Sequence, residues 1–177
     1  LDHLESWLVQ LFAGRDRLLF VPYALHDLDG YTAQVRQRFA PLGIAVEGIH
    51  RTSDPRRAVE GAPALFIGGG NTFRLLDRLL EGDLLEPIRR RVADGMPYLG
   101  ASAGSNVAGP SIRTTNDMPI VRPASFAALG LVDFQINPHY LDANPEGHGG
   151  ETREQRIEEF LLVNRKMTVT GLREATL

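Results

Sequence analysis

The chain has 177 residues, 43% of them hydrophobic and 23% charged, with a net charge of -3 and no cysteine. That length and balance suit one globular domain with a sizeable core. Disulfides, thiolate catalysis and Cys-type zinc sites are excluded, a mildly acidic chain is a poor nucleic-acid binder, and no apolar run approaches the roughly 18 residues of a membrane span.

In chain order, the start Leu1-Asp2-His3-Leu4-Glu5 carries no secretory leader pattern. With no cysteine, this predicts a cytoplasmic home. A start at leucine and an end at Glu174-Ala175-Thr176-Leu177 lead us to expect missing material at both ends. Leu18-Leu19-Phe20-Val21-Pro22 reads as a buried strand closed by proline, and Tyr31 to Leu42 as a helix stopped by Gly43. Ile44 to Ile49 and Ala64 to Ile67 read as strands, the latter running into Gly68-Gly69-Gly70. Helices follow at Thr72 to Leu80 and Leu84 to Ala93, then a strand at Tyr98 to Gly100. From Gly109 to Val132 the chain has three prolines and little periodicity, the mark of a long loop that is either functional or disordered. Phe134 to Asn137 is a strand, Thr152 to Val163 a helix and Met167 to Leu172 the last strand. This alternation predicts an α/β fold with a mostly parallel sheet and helices on both faces. Ligands in such sheets bind beyond the strand C-termini. Those ends carry Pro22, His50, Gly68 to Gly70, Ser102 and His139.

Gly100-Ala101-Ser102-Ala103-Gly104 matches G-x-S-x-G, between a strand and a stretch, Asn106-Val107-Ala108, that can open a helix. Nucleophile elbows need that setting, because a strained serine projects its hydroxyl above the sheet while small neighbours admit close backbone. The bland alternative is a tight turn of small residues. Gly68 to Gly70 lacks the lysine of a phosphate loop, and Phe73 stands where a dinucleotide turn needs glycine. Amides of Gly69 or Gly70, with that of Ala103, instead suit an oxyanion hole; the plain alternative is a strand-to-helix connection. Of the five histidines, His139 at a strand end is the preferred general base and His50 the second; His148 lies in a glycine-rich loop, and His3 and His26 look peripheral. Asp117, in the long loop, and Glu174, after the last strand, are both available to orient the imidazole. Asp142, Glu146 and Glu151 near His139 and His148 raise a metal alternative, but no H-E-x-x-H pattern supports it and no metal or cofactor is expected.

Longer stretches carry a family resemblance. Gly68-Gly69-Gly70-Asn71-Thr72-Phe73, Ser102-Ala103-Gly104 and Ile112 to Val121 belong to it, as do Gln135-Ile136-Asn137-Pro138-His139, Pro145-Glu146-Gly147-His148 and Glu151 to Arg156. Through them the chain resembles the peptidase E group of aspartyl dipeptidases, serine peptidase family S51, from about Leu18 to Glu174. The resemblance implies a class I glutamine amidotransferase-like fold in one domain over 1–177, short of an N-terminal strand and a C-terminal segment. It implies Ser102 as nucleophile, His139 as base and either Asp117 or Glu174 as acid, with cleavage of Asp-Xaa dipeptides through an acyl-enzyme. Arg153 matches the position that would grip the aspartyl carboxylate, with Arg113 second, since a guanidinium binds both oxygens. The partners expected are a small peptide substrate, no nucleic acid and no membrane, on a monomer or homodimer. The chain departs from the family pattern at Ala101, where tryptophan is usual, and at Ser105, where alanine is usual, which bears on the strictness of aspartate selectivity. Two alternatives stay open: a related peptidase of broader acidic-peptide or isoaspartyl-polymer specificity, and a non-enzymatic α/β protein binding an anion at Gly68 to Gly70.

Overall fold

A computed structural model of the chain describes residues 4–144, 147 and 149–176. His3, Glu146 and His148 lie outside the described residues.

Helix α1 (Glu5–Leu11) leads into strand β1 (Arg17–Val21), helix α2 (Leu28–Phe39), strand β2 (Ala45–Gly48), helix α3 (Pro55–Gly61) and strand β3 (Leu65–Ile67). Helices α4 (Thr72–Glu81) and α5 (Leu85–Ala93) precede strand β4 (Tyr98–Gly100) and the short helix α6 (Ala103–Asn106). After the long loop come strand β5 (Gln135–Pro138), helix α7 (Arg153–Val163) and strand β6 (Val169–Leu172). Strands β1 to β4 form one parallel sheet in the order β2-β1-β3-β4, with Phe20 opposite Phe66 and Phe66 opposite Leu99.

Apolar residues fill both faces of this sheet because side chains alternate along each strand. Leu18, Phe20, Val46, Phe66 and Leu99 pack with Leu8, Phe12, Val35 and Phe39 on the side of α1 and α2. Leu19, Val21, Leu65 and Ile67 pack with Val59, Leu75, Leu76, Leu79 and Ile88 from α3, α4 and α5 on the other. On the first side the ring of Phe66 lies 5.1 Å from that of Phe20 and 5.8 Å from that of Phe39. Strand order reverses between β1 and β3, so their C-terminal ends open a crevice at the rim.

The structure departs from the sequence expectations in four places. Helix α2 begins at Leu28 because Asp27 caps it, accepting from the Gly30 amide at 2.8 Å. Helices α1 and α3 have no counterpart in the sequence reading, although Asp54 caps α3 and Pro55 opens it. The helix after Ser102 starts at Ala103 and ends at Asn106, earlier and shorter than Asn106 to Ala108 suggests. Finally, β5 and β6 form a separate parallel pair rather than extending the main sheet. The free edge of β5 is satisfied by side chains instead of a ladder. The Ile136 carbonyl accepts from Asn106 Nδ2 at 2.6 Å and Thr114 Oγ1 at 2.8 Å, and the Pro138 carbonyl from Asn116 Nδ2 at 2.7 Å. Asn106 and Thr114 are buried, and buried carbonyls need such partners. Among the described residues no helix is long and apolar enough to cross a membrane.

Candidate active site

The turn after β4 is built by close backbone approach. A side chain at Gly104 would place Cβ 2.1 Å from the Ile67 carbonyl oxygen, and one at Gly100 would meet Gly104 backbone at 2.6 Å. Two hydroxyls brace it: Tyr98 donates to the Gly104 carbonyl at 2.6 Å and Ser105 to the Gly100 carbonyl at 2.8 Å. The phenol of Tyr98 is pushed well above its ordinary pKa by burial, so it stays a neutral donor. Ser105, one of the two departures from the resemblance, therefore adds a bond to the turn. Between the glycines Ser102 adopts φ 51°, ψ -106°, a region costly for a side-chain-bearing residue.

Ser102 Oγ lies 2.7 Å from His139 Nε2. His139 follows β5 with φ 58°, a backbone conformation uncommon for a residue with a side chain. Its Nδ1 is hydrogen-bonded to Glu174 Oε1. Glu174 stands two residues past β6, so the β5–β6 pairing carries both groups to one place. An exposed pair next to it, Arg173 with Asp142 at 2.5 and 2.7 Å, ties the segment after His139 to the residue before Glu174. Arg173 holds the Asp142 carboxyl below the usual carboxylate range. A cleft of about 240 Å³ opens over Ser102, His139 and Glu174, walled by Leu4, Ala101 and Leu172.

Asp117 is elsewhere. Its carboxylate accepts from the Thr72 amide at 2.7 Å and from Thr72 Oγ1 at 2.5 Å, at the start of α4. No contact of Asp117 with His139 is found among the described residues. His50 is also remote from Ser102 in its bonding: its Nε2 meets Asp29 Oδ1 at 2.7 Å, and Arg51 meets the same oxygen. His26 lines a separate cleft of about 380 Å³ with Tyr23, Arg74 and Arg78, larger than the cleft at Ser102 and without either Ser102 or His139.

The glycine turn sits against the serine. A Cβ at Gly69 would be 3.1 Å from Ser102 Cβ and from the Ala101 carbonyl. The Gly69 amide donates to Tyr31 Oη at 2.8 Å, so that donor is already engaged. Among the described residues the amides of Gly70 and Ala103 have no hydrogen-bond partner. Gly70, at φ 133° with Ala24 O 2.6 Å from where its Cβ would stand, tolerates no side chain. Tyr31 was not singled out by the sequence, and nothing in a helix interior signals such a contact.

Arg153 and Arg113 line one cleft of about 250 Å³ with Arg156, Asn116, Asn137 and Asp117. Burial first, then the like charge of Arg156, lowers the pKa of the Arg153 guanidinium below its ordinary value. Arg153 has no ion-pair partner among the described residues, whereas Arg156 pairs with Glu151 at 3.5 Å. Arg113 stacks over the Phe160 ring, 5.1 Å from its centroid. The Asn116 bond to the Pro138 carbonyl joins the wall of this cleft to the wall of the one at Ser102. Of the residues raised for a metal site, Asp142 and Glu151 are paired with arginines, and no group of three or more acids and histidines able to hold a metal occurs among the described residues.

The sequence profile of peptidase family S51 matches residues 1–177. Similar proteins include Peptidase E of Streptomyces coelicolor, 53% identical over 177 residues, covering 99% of this chain and 72% of that protein. A Drosophila melanogaster protein named as a probable alpha-aspartyl dipeptidase is 53% identical over 182 residues, covering 99% of this chain and 75% of its own length. A crystal structure from Listeria monocytogenes, described as a candidate peptidase E, superposes with a TM-score of 0.70 at 23% identity, covering 97% of this chain and 85% of that one. At that identity the likeness concerns the fold, which is the class I glutamine amidotransferase-like arrangement.

Proposed function

The chain belongs to peptidase family S51, and from that premise we propose that it is a serine dipeptidase hydrolysing Asp-Xaa dipeptides through an acyl-enzyme. The observation that carries this reading is the Ser102 Oγ to His139 Nε2 contact of 2.7 Å on a serine held at φ 51°. Ser102 Oγ attacks the peptide carbonyl while His139 Nε2 takes its proton. The oxyanion is met by the amides of Gly70 and Ala103. Collapse breaks the C–N bond, with His139 giving its proton to the leaving amine. Water then attacks the aspartyl ester, His139 accepts the water's proton and passes it to Ser102 Oγ as aspartate leaves. Glu174 acts as the positioning carboxylate that fixes the imidazole's tautomer.

Specificity follows from charge. The aspartyl side chain is a carboxylate, and the Arg153 guanidinium is a half-buried cation without an ion pair among the described residues. Arg113 is the second cation of that cleft. The Drosophila relative named as a probable alpha-aspartyl dipeptidase supports this substrate class.

Purified protein is tested on Asp-, Glu- and Ala-initiated dipeptides. We expect turnover of the Asp set, and its loss in Ser102→Ala by at least about a thousandfold. Wild-type-like turnover by Ser102→Ala sinks the nucleophile assignment. Equal turnover of all three sets keeps the peptidase and overturns the Asp selectivity. Failure of a fluorophosphonate to label Ser102 favours the anion-binding alternative.

A further inference from the structure

The Gly68 to Gly70 turn is held from two sides by residues outside the serine–histidine–glutamate line. On one side Tyr31 leans against it: a Cβ at Gly68 would be 2.7 Å from the Tyr31 hydroxyl, and that hydroxyl accepts the Gly69 amide at 2.8 Å. The Tyr31 ring is itself fixed edge-on to Phe20, centroids 5.0 Å apart and planes at 89°. Burial raises its pKa, which leaves a neutral hydroxyl at working pH. On the other side the loop after the elbow grips the turn's exit. Asp117 holds both the amide and hydroxyl of Thr72, and Thr115 Oγ1 donates to Thr72 Oγ1 at 3.0 Å. Asn71 Nδ2 donates to the Met118 carbonyl at 2.8 Å while its Oδ1 caps α4 at the Arg74 amide. The Asn71 amide is bound to the Ala24 carbonyl at 2.9 Å. Of the amides from Gly68 to Thr72, that of Gly70 is the one left without a partner among the described residues.

We infer that Tyr31 and Asp117 are positioning residues that fix the glycine turn so that Gly70, and not Gly69, presents its amide to the oxyanion. The inference rests on Ser102 being the nucleophile. It gives Asp117 a task distinct from the carboxylate that orients His139. Two mechanical facts favour it. Tyr31 occupies the Gly69 donor, so only one amide of the turn is free to face a developing charge. The Asp117 carboxylate binds the first residue of α4, so a shift of that helix start moves the turn directly.

The test compares Tyr31→Phe, Asp117→Asn and Asp117→Ala with the wild-type chain in two assays. One is steady-state hydrolysis of an Asp-Xaa dipeptide. The other is acylation of Ser102 by p-nitrophenyl acetate, which develops the same oxyanion but carries no aspartyl side chain. Deleting an oxyanion donor costs about 100- to 1,000-fold in kcat; a donor displaced but still present should cost about tenfold. We expect Tyr31→Phe to lose about tenfold in kcat and in acylation rate, with KM within about twofold. Asp117→Asn keeps an acceptor for Thr72 and should retain more activity than Asp117→Ala. The acid limb of the pH–rate profile should stay where it is in all three, and move only in Glu174→Gln.

Undiminished acylation and kcat in Tyr31→Phe overturn the inference. So does a displaced acid limb in Asp117→Asn, which would return Asp117 to His139, or a loss confined to KM, which would make Asp117 a substrate contact in the arginine cleft. If Asp117→Ala fails to fold, the near-isosteric Tyr31→Phe and Asp117→Asn decide. A wild-type chain acylated at Ser102 but inert on Asp-Xaa removes the proposed selectivity and leaves the acylation test standing. A wild-type chain with neither activity removes the nucleophile and this inference together.

Discussion

Ser102 owes its geometry to atoms it never touches. Gly104 lies so close to Ile67 that any Cβ must displace backbone of β3, so Gly104→Ala is expected to lose several kcal/mol, on the order of 2–4, by urea denaturation. Ser105→Ala removes only the bond to the Gly100 carbonyl. It should cost about 1 kcal/mol of stability and leave kcat near that of the parent. At the rim, Arg173 hydrogen bonds lower the Asp142 carboxyl. A lowered carboxyl stabilises the fold above its unfolded value and loses that contribution as pH falls through the folded value. Asp142→Asn and the parent should therefore differ in denaturant midpoint at pH 7 and converge as the pH falls below the ordinary carboxylate range. The pair is fully exposed, so the difference at pH 7 should be small. A difference that persists at low pH would mean that packing, not charge, joins the two segments.

Among the elements, the strands of the main sheet were legible because their apolar runs fill both faces. Phe66 contacts the rings of both Phe20 and Phe39 and is 2% exposed. Phe66→Ala should cost about 3–5 kcal/mol, a large share of a domain's total of roughly 5–15, read as a lowered Tm. Helices α1 and α3 escaped the sequence reading because each has seven residues and two turns carry little periodicity. The docking of β5 was illegible for another reason: it depends on polar side chains far apart in sequence. Asn106→Ala removes one of two donors to the Ile136 carbonyl and leaves Thr114 to serve it. A loss of about 1–3 kcal/mol is expected, with the larger value if Thr114→Val is added. Because β5 leads directly into His139, the double variant should also reduce kcat.

On the scale of the molecule, the site joins parts from four places along the chain: the turn after β3, the elbow after β4, the end of β5 and the residue beyond β6. The Asn116 bond to the Pro138 carbonyl links the arginine cleft to the cleft at Ser102, so the proposed substrate grip and the proposed nucleophile occupy neighbouring clefts. Arg153→Ala should raise KM for Asp dipeptides at least about tenfold while leaving Tm within a few degrees, since the guanidinium makes no ion pair among the described residues. An unchanged Asp preference in that variant would remove Arg153 from its assigned role.

The amino-acid sequence alone determined the α/β class, the family and the elbow at Ser102, because strand periodicity, glycine spacing and turn chemistry are local properties of the chain. It also placed His139 and Glu174 among a few candidates. Which carboxylate faces His139, which glycine amide is left free, and what Tyr31 and Asp117 hold depend on contacts 35 to 45 residues apart in the chain. Those contacts arise only when α2 packs against the sheet, β5 and β6 dock beside the elbow and the long loop closes on α4, and no local pattern encodes a distance between two loops.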